Sequence, residues 1–299
     1  MRRNPKSLLR DAGFQQRKNL GQHFLHDARI LGAIADAVAH EARACSPAGV
    51  APLPVVEIGT GPGTLTLQLL ERGLRVLGIE ADQRFRPIHQ QLWKDAPADA
   101  QPALHYGDAC HIPPEVIRAF VGECPRYILA GNIPYQITSP LLFGALDALR
   151  QGQSPCPAAI VFLMQEEVAQ RIAAEPDSRV YGVLSIKMQW LMQPRLGLRV
   201  GPGAFQPPPQ VHSRVLVARA RPESEQPDRE VMQRAWRLVD HLFQQRRKRV
   251  DGLLARDRQV PREELAQWFA TRDLPDSARP ENLSPADYLE LVGWLAARP

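Results

Sequence analysis

Short, nearly unbroken apolar runs alternate with amphipathic stretches from residue 55 to residue 164. The runs at 55–59, 75–80, 104–108, 127–132 and 159–164 are β-prone with little polar interruption, which predicts strands buried on both faces of a parallel sheet. Between them, 65–72, 84–93, 115–120 and 140–149 read as crossover helices. The expected fold is α/β, a Rossmann-like doubly wound sheet. Residues 28–44 predict a helix ahead of the sheet, and 165–174 and 181–192 read as helices after it. The three prolines Pro207, Pro208 and Pro209 make 203–213 a stiff loop rather than a central strand, and 215–218 resumes as a strand that would close the sheet. Polar residues 221–228 suggest a boundary. Beyond it, 231–245, 247–254, 263–269 and 285–297 read as helices, so the expected division is an α/β domain with an N-terminal extension at 1–222 and a small all-helical domain at 223–299. Residues 1–18 form a basic polar tail, and 19–27 a turn with a buried aromatic residue that leads into the first helix.

Composition narrows the class without choosing a function. With 299 residues, 44% hydrophobic and 23% charged, the chain has the composition of an ordered protein of two domains. Net charge is only +5, but the run Arg246-Arg247-Lys248-Arg249 concentrates cations and makes an anionic partner plausible; a solvated helix face is an equal reading of the same run. The cysteines Cys45, Cys110, Cys124 and Cys156 show no CxxC and no metal-type spacing with His, so reduced thiols and no metal site are expected. No apolar stretch is long enough to span a bilayer; the expectation is a cytoplasmic protein, no membrane partner and a monomer.

Two stretches carry chemistry. The first, Glu57-Ile58-Gly59-Thr60-Gly61-Pro62-Gly63-Thr64, leaves a predicted strand and opens a helix, the context of a nucleotide-binding loop. It departs from GxGxxG, and Glu57 just before the first glycine would repel a pyrophosphate but suits a cationic ammonium group. Glu80, at the end of the next strand and about twenty residues on, is placed to accept from both hydroxyls of a ribose. Asp108, at the end of the third strand, could accept from an adenine amine. Three carboxylates at successive strand ends fit S-adenosylmethionine better than NAD, although each one alone could be a helix cap. The second stretch is Gly131-Asn132-Ile133-Pro134-Tyr135, a strand end running into a turn that Pro134 stiffens. Asn132 and the Ile133 carbonyl would be fixed acceptors beside the flat face of Tyr135, suited to a planar base with an exocyclic amine. An ordinary turn with a capping Asn and a core Tyr is the alternative. His23, alone, reads as a core or capping histidine.

These segments together resemble the small-subunit ribosomal RNA adenine N6-dimethyltransferases, the KsgA/RsmA family, which are similar to the erythromycin-resistance methylases. The resemblance runs nearly end to end, through Leu20-Gly21-Gln22-His23-Phe24-Leu25, 57–66, Gly78-Ile79-Glu80-Ala81-Asp82, Gly107-Asp108-Ala109, 131–135, Gln165-Glu166-Glu167-Val168 with Arg171, Tyr181-Gly182-Val183-Leu184-Ser185 and 205–213. It implies a methyltransferase sheet in which His23, Leu25, Gly59, Glu80, Asp108 and Asn132 line an S-adenosylmethionine pocket, with Glu57 and Gly61 in the same loop. It also implies that Asn132 and Tyr135, flanked by Ile133 and Pro134, handle the base, and that Phe205 helps hold it. The implied substrate is small-subunit ribosomal RNA within the immature subunit, at two adjacent adenines of a hairpin loop near its 3′ end. Gln245-Arg246-Arg247-Lys248 resembles the family's basic stretch, whereas Arg249-Val250-Asp251-Gly252 departs from the Thr-x-x-Asn-Ser run that follows it there. A large-subunit adenine methylase, a DNA adenine methyltransferase and a non-catalytic assembly factor are the competing expectations, and the end-to-end match weighs against the DNA enzyme.

Overall fold

The computed structural model describes Phe14 and residues 22–298; the rest of the expected basic tail, together with Asn19, Leu20 and Gly21 of the following turn, lies outside the described residues. A two-residue strand, β1 (Phe24–Leu25), precedes helix α1 (Ala28–Ala44). Asp27 starts that helix, its carboxylate accepting from the N–H groups of Arg29 and Ile30, and the helix buries Leu31, Ile34, Val38 and Ala42 along one stripe. The expected alternation follows as β2 (Val55–Ile58), α2 (Thr64–Glu71), β3 (Val76–Glu80), α3 (Arg86–Trp93), β4 (Ala103–Tyr106), α4 (Pro114–Val121), β5 (Arg126–Asn132), α5 (Thr138–Arg150) and β6 (Cys156–Gln165). Every residue of β2 and β3 is buried. Each such Val, Ile or Leu contributes about 1.5–3 kcal/mol, enough to fix the sheet's position between its helices.

Helix α6 (Glu166–Ile172) and helix α7 (Val183–Leu191) lead into a strand absent from the sequence reading, β7 (Met192–Val200), followed by β8 (Phe205–Gln206) and β9 (Ser213–Ala220). The sheet runs β4-β3-β2-β5-β6-β9-β7. Strands β2 to β6 are parallel and β9 is antiparallel to β6. The segment at 215–218 therefore does not close the sheet, because β7 lies outside it. Pro194 and Gly197 weaken the strand signature of β7, and an edge tolerates both. Buried Glu41 of α1 clamps it, accepting from Arg195 of β7 at 2.7 Å and from Arg219 of β9 at 2.8 Å. The two short strands β1 and β8 pair with each other, Leu25 opposite Phe205.

Residue contacts divide the described chain into two units, one reaching to Ala169 and resuming over Arg195–Ala220, the other comprising Gln170–Pro194 and the chain from Arg221 onward. The second unit adds α8 (Arg229–Phe243), α9 (Val250–Arg258), α10 (Arg262–Ala270) and α11 (Pro285–Ala296) to α7. Residues 170–194, assigned by sequence to the first domain, belong with these helices because their polar anchors are there. The Trp190 indole donates to the Pro285 carbonyl at 2.8 Å, buried Lys187 pairs with Asp240 at 2.6 Å, and the Tyr181 hydroxyl donates to the Leu283 carbonyl. Among the described residues no helix is long and apolar enough to cross a membrane.

Candidate active site

The sheet reverses direction of winding between β2 and β5, and the crevice outside the carboxyl ends of these strands is where a doubly wound sheet binds its ligand. A cavity of about 460 Å³ occupies that place. His23, Leu25, Glu57, Gly59, Gly61, Glu80, Asp108, Asn132, Ile133, Pro134, Tyr135 and Phe205 all line it, so it brings together every residue expected to bind cofactor or base. Gln22, Thr60, Phe85 and Ile137 line it as well and were not singled out by sequence. Phe85 carries only the ordinary signal of an apolar residue before a helix, and Gln22 stood out only as a neighbour of His23.

The glycine loop takes backbone angles that side chains disfavour, with φ of 72° at Gly59, 53° at Gly61 and 83° at Gly63. Its turn delivers the Gly61 N–H to Glu80 Oε2 at 2.7 Å, while Glu80 Oε1 accepts from the Asp82 N–H at 2.8 Å. Burial raises the Glu80 carboxyl above its usual range against these stabilising bonds. The Thr60 hydroxyl also donates to Oε2, at 3.5 Å, so the acceptor site left for a further donor is on Oε1. Glu57 is buried more completely, which pushes it up to about 8 even though the Thr66 hydroxyl donates to it at 2.6 Å. Asp108 is the exposed member of the trio. It accepts from the Cys110 N–H at 2.9 Å and from His111 at 2.8 Å, which hold its carboxyl low, so it caps a turn and lines the cavity at once.

The base corner is equally constrained. Gly131 has φ of 154°, and a Cβ there would lie 2.3 Å from the Ile58 carbonyl oxygen, so only glycine lets β5 end against β2. The Ile133 N–H donates to Leu163 across the sheet and its side chain is buried. Asn132 Nδ2 donates to the His23 carbonyl at 2.9 Å, which turns Asn132 Oδ1 into the free acceptor of that amide. The His23 ring stacks on Tyr135 with centroids 6.1 Å apart, and its Nδ1 lies 2.8 Å from the Pro207 carbonyl, whose bond it makes as a donor. The Tyr135 hydroxyl meets Ser213 Oγ at 3.2 Å. Phe205 is 2% exposed and forms wall rather than free surface. His23 thus ties the corner to the proline-rich loop in addition to lining the cofactor end.

A cofactor can be tested against this lining. Among the described residues no Lys or Arg lines the cavity, so the phosphates of a dinucleotide would meet carboxyl groups with no cation to offset them, whereas an ammonium, ribose hydroxyls and an adenine amine find acceptors. S-adenosylmethionine fits this donor set. Among the described residues no cluster of His, Cys, Asp or Glu could hold a metal ion.

In the helical unit, the basic stretch precedes helix α9 instead of starting it. Arg246 is engaged by Glu281 at 2.9 Å and by the Arg179 carbonyl, and Arg249 is paired with Asp251 at 2.8 Å. Arg247 and Lys248 are exposed and form no ion pair among the described residues. With Arg256 and Arg262 they border a cleft of about 400 Å³.

A family profile described as ribosomal RNA adenine dimethylase matches residues 13–297. A protein of Anaeromyxobacter sp. (strain K) named ribosomal RNA small subunit methyltransferase A is 36% identical, with 96% of each chain covered. One of the same name from Gluconobacter oxydans is 34% identical over 94% of this chain and 83% of its own. Among solved structures, a dimethyladenosine transferase from Plasmodium falciparum superposes with a TM-score of 0.65 at 22% identity, covering 90% of this chain and 96% of that one. The 23S rRNA methyltransferase ErmE gives 0.66 at 22% identity, covering 91% and 99%. At that identity the two structures establish the fold, a Rossmann-like α/β methyltransferase sheet.

Proposed function

The chain belongs to the ribosomal RNA adenine dimethylase family, and from that membership we propose that it is an S-adenosylmethionine-dependent enzyme. Its reaction is dimethylation of the N6 amines of two adjacent adenines in a hairpin loop near the 3′ end of small-subunit ribosomal RNA. Its substrate is the RNA within the immature subunit, which places its work in the cytoplasm. The observation that carries the reading is the bond from Asn132 Nδ2 to the His23 carbonyl, which leaves Oδ1 as a fixed acceptor in the wall of a cavity that Glu57, Glu80 and Asp108 also line.

Adenine N6 is a poor nucleophile because its lone pair is delocalised into the ring. Asn132 Oδ1 and the Ile133 carbonyl accept its two hydrogens and favour a pyramidal nitrogen whose lone pair is aimed along one line. S-adenosylmethionine, when bound, would supply the methyl, carried on a cationic sulfur. In each transfer an N6–carbon bond would form as the donor's sulfur–carbon bond breaks, and the amine, cationic after transfer, would lose a proton to water, so Asn132 need not be a base. Alignment and preorganised dipoles are the protein's main contributions. Glu57 would hold the ammonium group, Glu80 the ribose and Asp108 the adenine of the cofactor. The face of Tyr135 away from His23 takes the target base, with Phe205 as wall; such stacking is worth about 1–3 kcal/mol per base. Arg247 and Lys248 supply phosphate contacts.

The decisive experiment incubates the protein and labelled cofactor with immature small subunits, large subunits and DNA, and maps methylated adenines by mass spectrometry. Two adjacent dimethyladenines in small-subunit RNA alone are expected. Label in large-subunit RNA would move the substrate assignment to the other subunit, and no label anywhere would leave a non-catalytic role.

A further inference from the structure

We propose that His89, with Tyr106 behind it, is a positioning residue for the cofactor: its imidazole holds the Gly61 carbonyl and so fixes the loop against which Glu80 is set. This rests on the reading that S-adenosylmethionine occupies the cavity with its ribose on Glu80.

His89 lies in α3, is 1% exposed and does not line the cavity. Its Nε2 is 2.7 Å from the Gly61 carbonyl oxygen and its Nδ1 is 2.8 Å from the Tyr106 hydroxyl. The carbonyl can only accept, so Nε2 carries the hydrogen, and the neutral ring then accepts at Nδ1 from the Tyr106 O–H. One tautomer satisfies both partners. Burial holds the imidazole down to about 4, so this form persists at neutral pH.

Gly61 needs such a partner. Strand β2 ends at Ile58 and α2 begins at Thr64, so the carbonyl between them has neither a ladder nor a helix to bond. The Gly61 N–H is held by Glu80 at 2.7 Å, and with His89 on the carbonyl the residue is pinned on both sides of its Cα in a left-handed conformation. Trp93, one turn along α3 and 5.1 Å from the His89 ring, packs on the same loop: a Cβ on Gly63 would come within 3.1 Å of the indole. Helix α3 therefore braces the loop at two points, and only His89 does so through a hydrogen bond that a substitution can remove and restore.

Calorimetric titration of S-adenosylmethionine into wild type, H89L, H89Q and Y106F tests this, with the KM for cofactor and kcat measured alongside. Orphaning the carbonyl in H89L should weaken binding about tenfold, and Y106F about threefold. The KM should rise in step while kcat at saturating cofactor changes less than about twofold. H89Q should recover most of the affinity, since its amide can donate to the same carbonyl. The H89L/Y106F double variant should bind no more weakly than H89L, because Tyr106 acts only through His89. Wild-type affinity in H89L, failure of H89Q to recover it, or a fall in kcat equal to the change in KM overturns the brace. Should H89L not fold, unchanged affinity in Y106F overturns it instead. A wild-type chain that takes up no cofactor overturns the reading of the cavity and the brace with it, whereas wild-type uptake with an unaltered H89L removes the brace alone.

Discussion

The crevice at the ends of β2 and β5 and the basic stretch before α9 both consist of polar groups, yet they are built in opposite ways. In the crevice the groups that set direction are spoken for: Asn132 by the His23 carbonyl, Glu80 by two backbone N–H groups, Glu57 by Thr66. In the basic stretch Arg246 and Arg249 are tied to carboxylates, and Arg247 and Lys248 stand in solvent. The first arrangement fixes geometry, which a reaction limited by alignment needs. The second holds charge on mobile stems, which suits phosphates that carry no sequence information. Substitutions should therefore act steeply and specifically in the crevice, and gently and with salt dependence in the stretch.

The largest effect should come from Asn132→Ala. Removing the oriented acceptor should lower kcat by about 10²–10³-fold, the scale of deleting one preorganised polar partner of a transition state. Calorimetry should show the cofactor still bound, and normal turnover by this variant would remove Asn132 from the mechanism. Glu80→Ala should come next, weakening cofactor affinity about tenfold or more, since it deletes the ribose acceptor and frees the Gly61 N–H. Unchanged affinity would take away its ribose role.

The contrast also explains what could be read from the chain. Glycine spacing, carboxylates at strand ends and a Pro-stiffened Asn corner are local patterns set by backbone angles and charge, so they were legible at Glu57, Glu80, Asp108 and 131–135. The strand β7 was not, because its Pro194, Gly197, Arg195 and Arg199 suit only an edge, and its anchor, Glu41, is distant in sequence. His89 was not legible either: nothing near it in sequence shows that an orphan carbonyl at Gly61 awaits it. Residues 170–194 group with the helical unit rather than the first domain for the same reason, since a segment's unit is decided by distant partners such as Pro285 and Asp240.

Glu57 gives a pH-dependent test of the buried side. Its folded carboxyl is raised to about 8 from 4.5, so the folded chain keeps a proton that the unfolded chain releases above 4.5. Stability is therefore lost as pH rises through that window, and the loss levels off above about 8. Glu57→Gln carries no such penalty. In the cofactor-free protein its melting temperature should exceed that of wild type by several degrees near pH 8, with the gap closing toward pH 4–5. Thermal melts across that range check it. Loss of cofactor affinity in the same variant would show that the penalty serves the ammonium group, and a gap independent of pH would mean that Glu57 is not held protonated.

The smallest effects belong to the exposed cations, and their pattern separates charge from structure. If Arg247 and Lys248 neutralise phosphate, then Arg247→Ala with Lys248→Ala should weaken RNA binding only several-fold at low salt. The slope of log affinity against log salt should become shallower by about 0.7 per residue removed. Arg246→Ala should behave differently, because its guanidinium is already bound to Glu281 and to the Arg179 carbonyl. Its loss should lower the melting temperature and leave the salt slope nearly unaltered. Filter binding across a salt series, with melts of each variant, reads both quantities. An equal change of slope for all three cations would show that the ion pair to Glu281 opens on RNA, and the line drawn between fixed and free charge would then have to move.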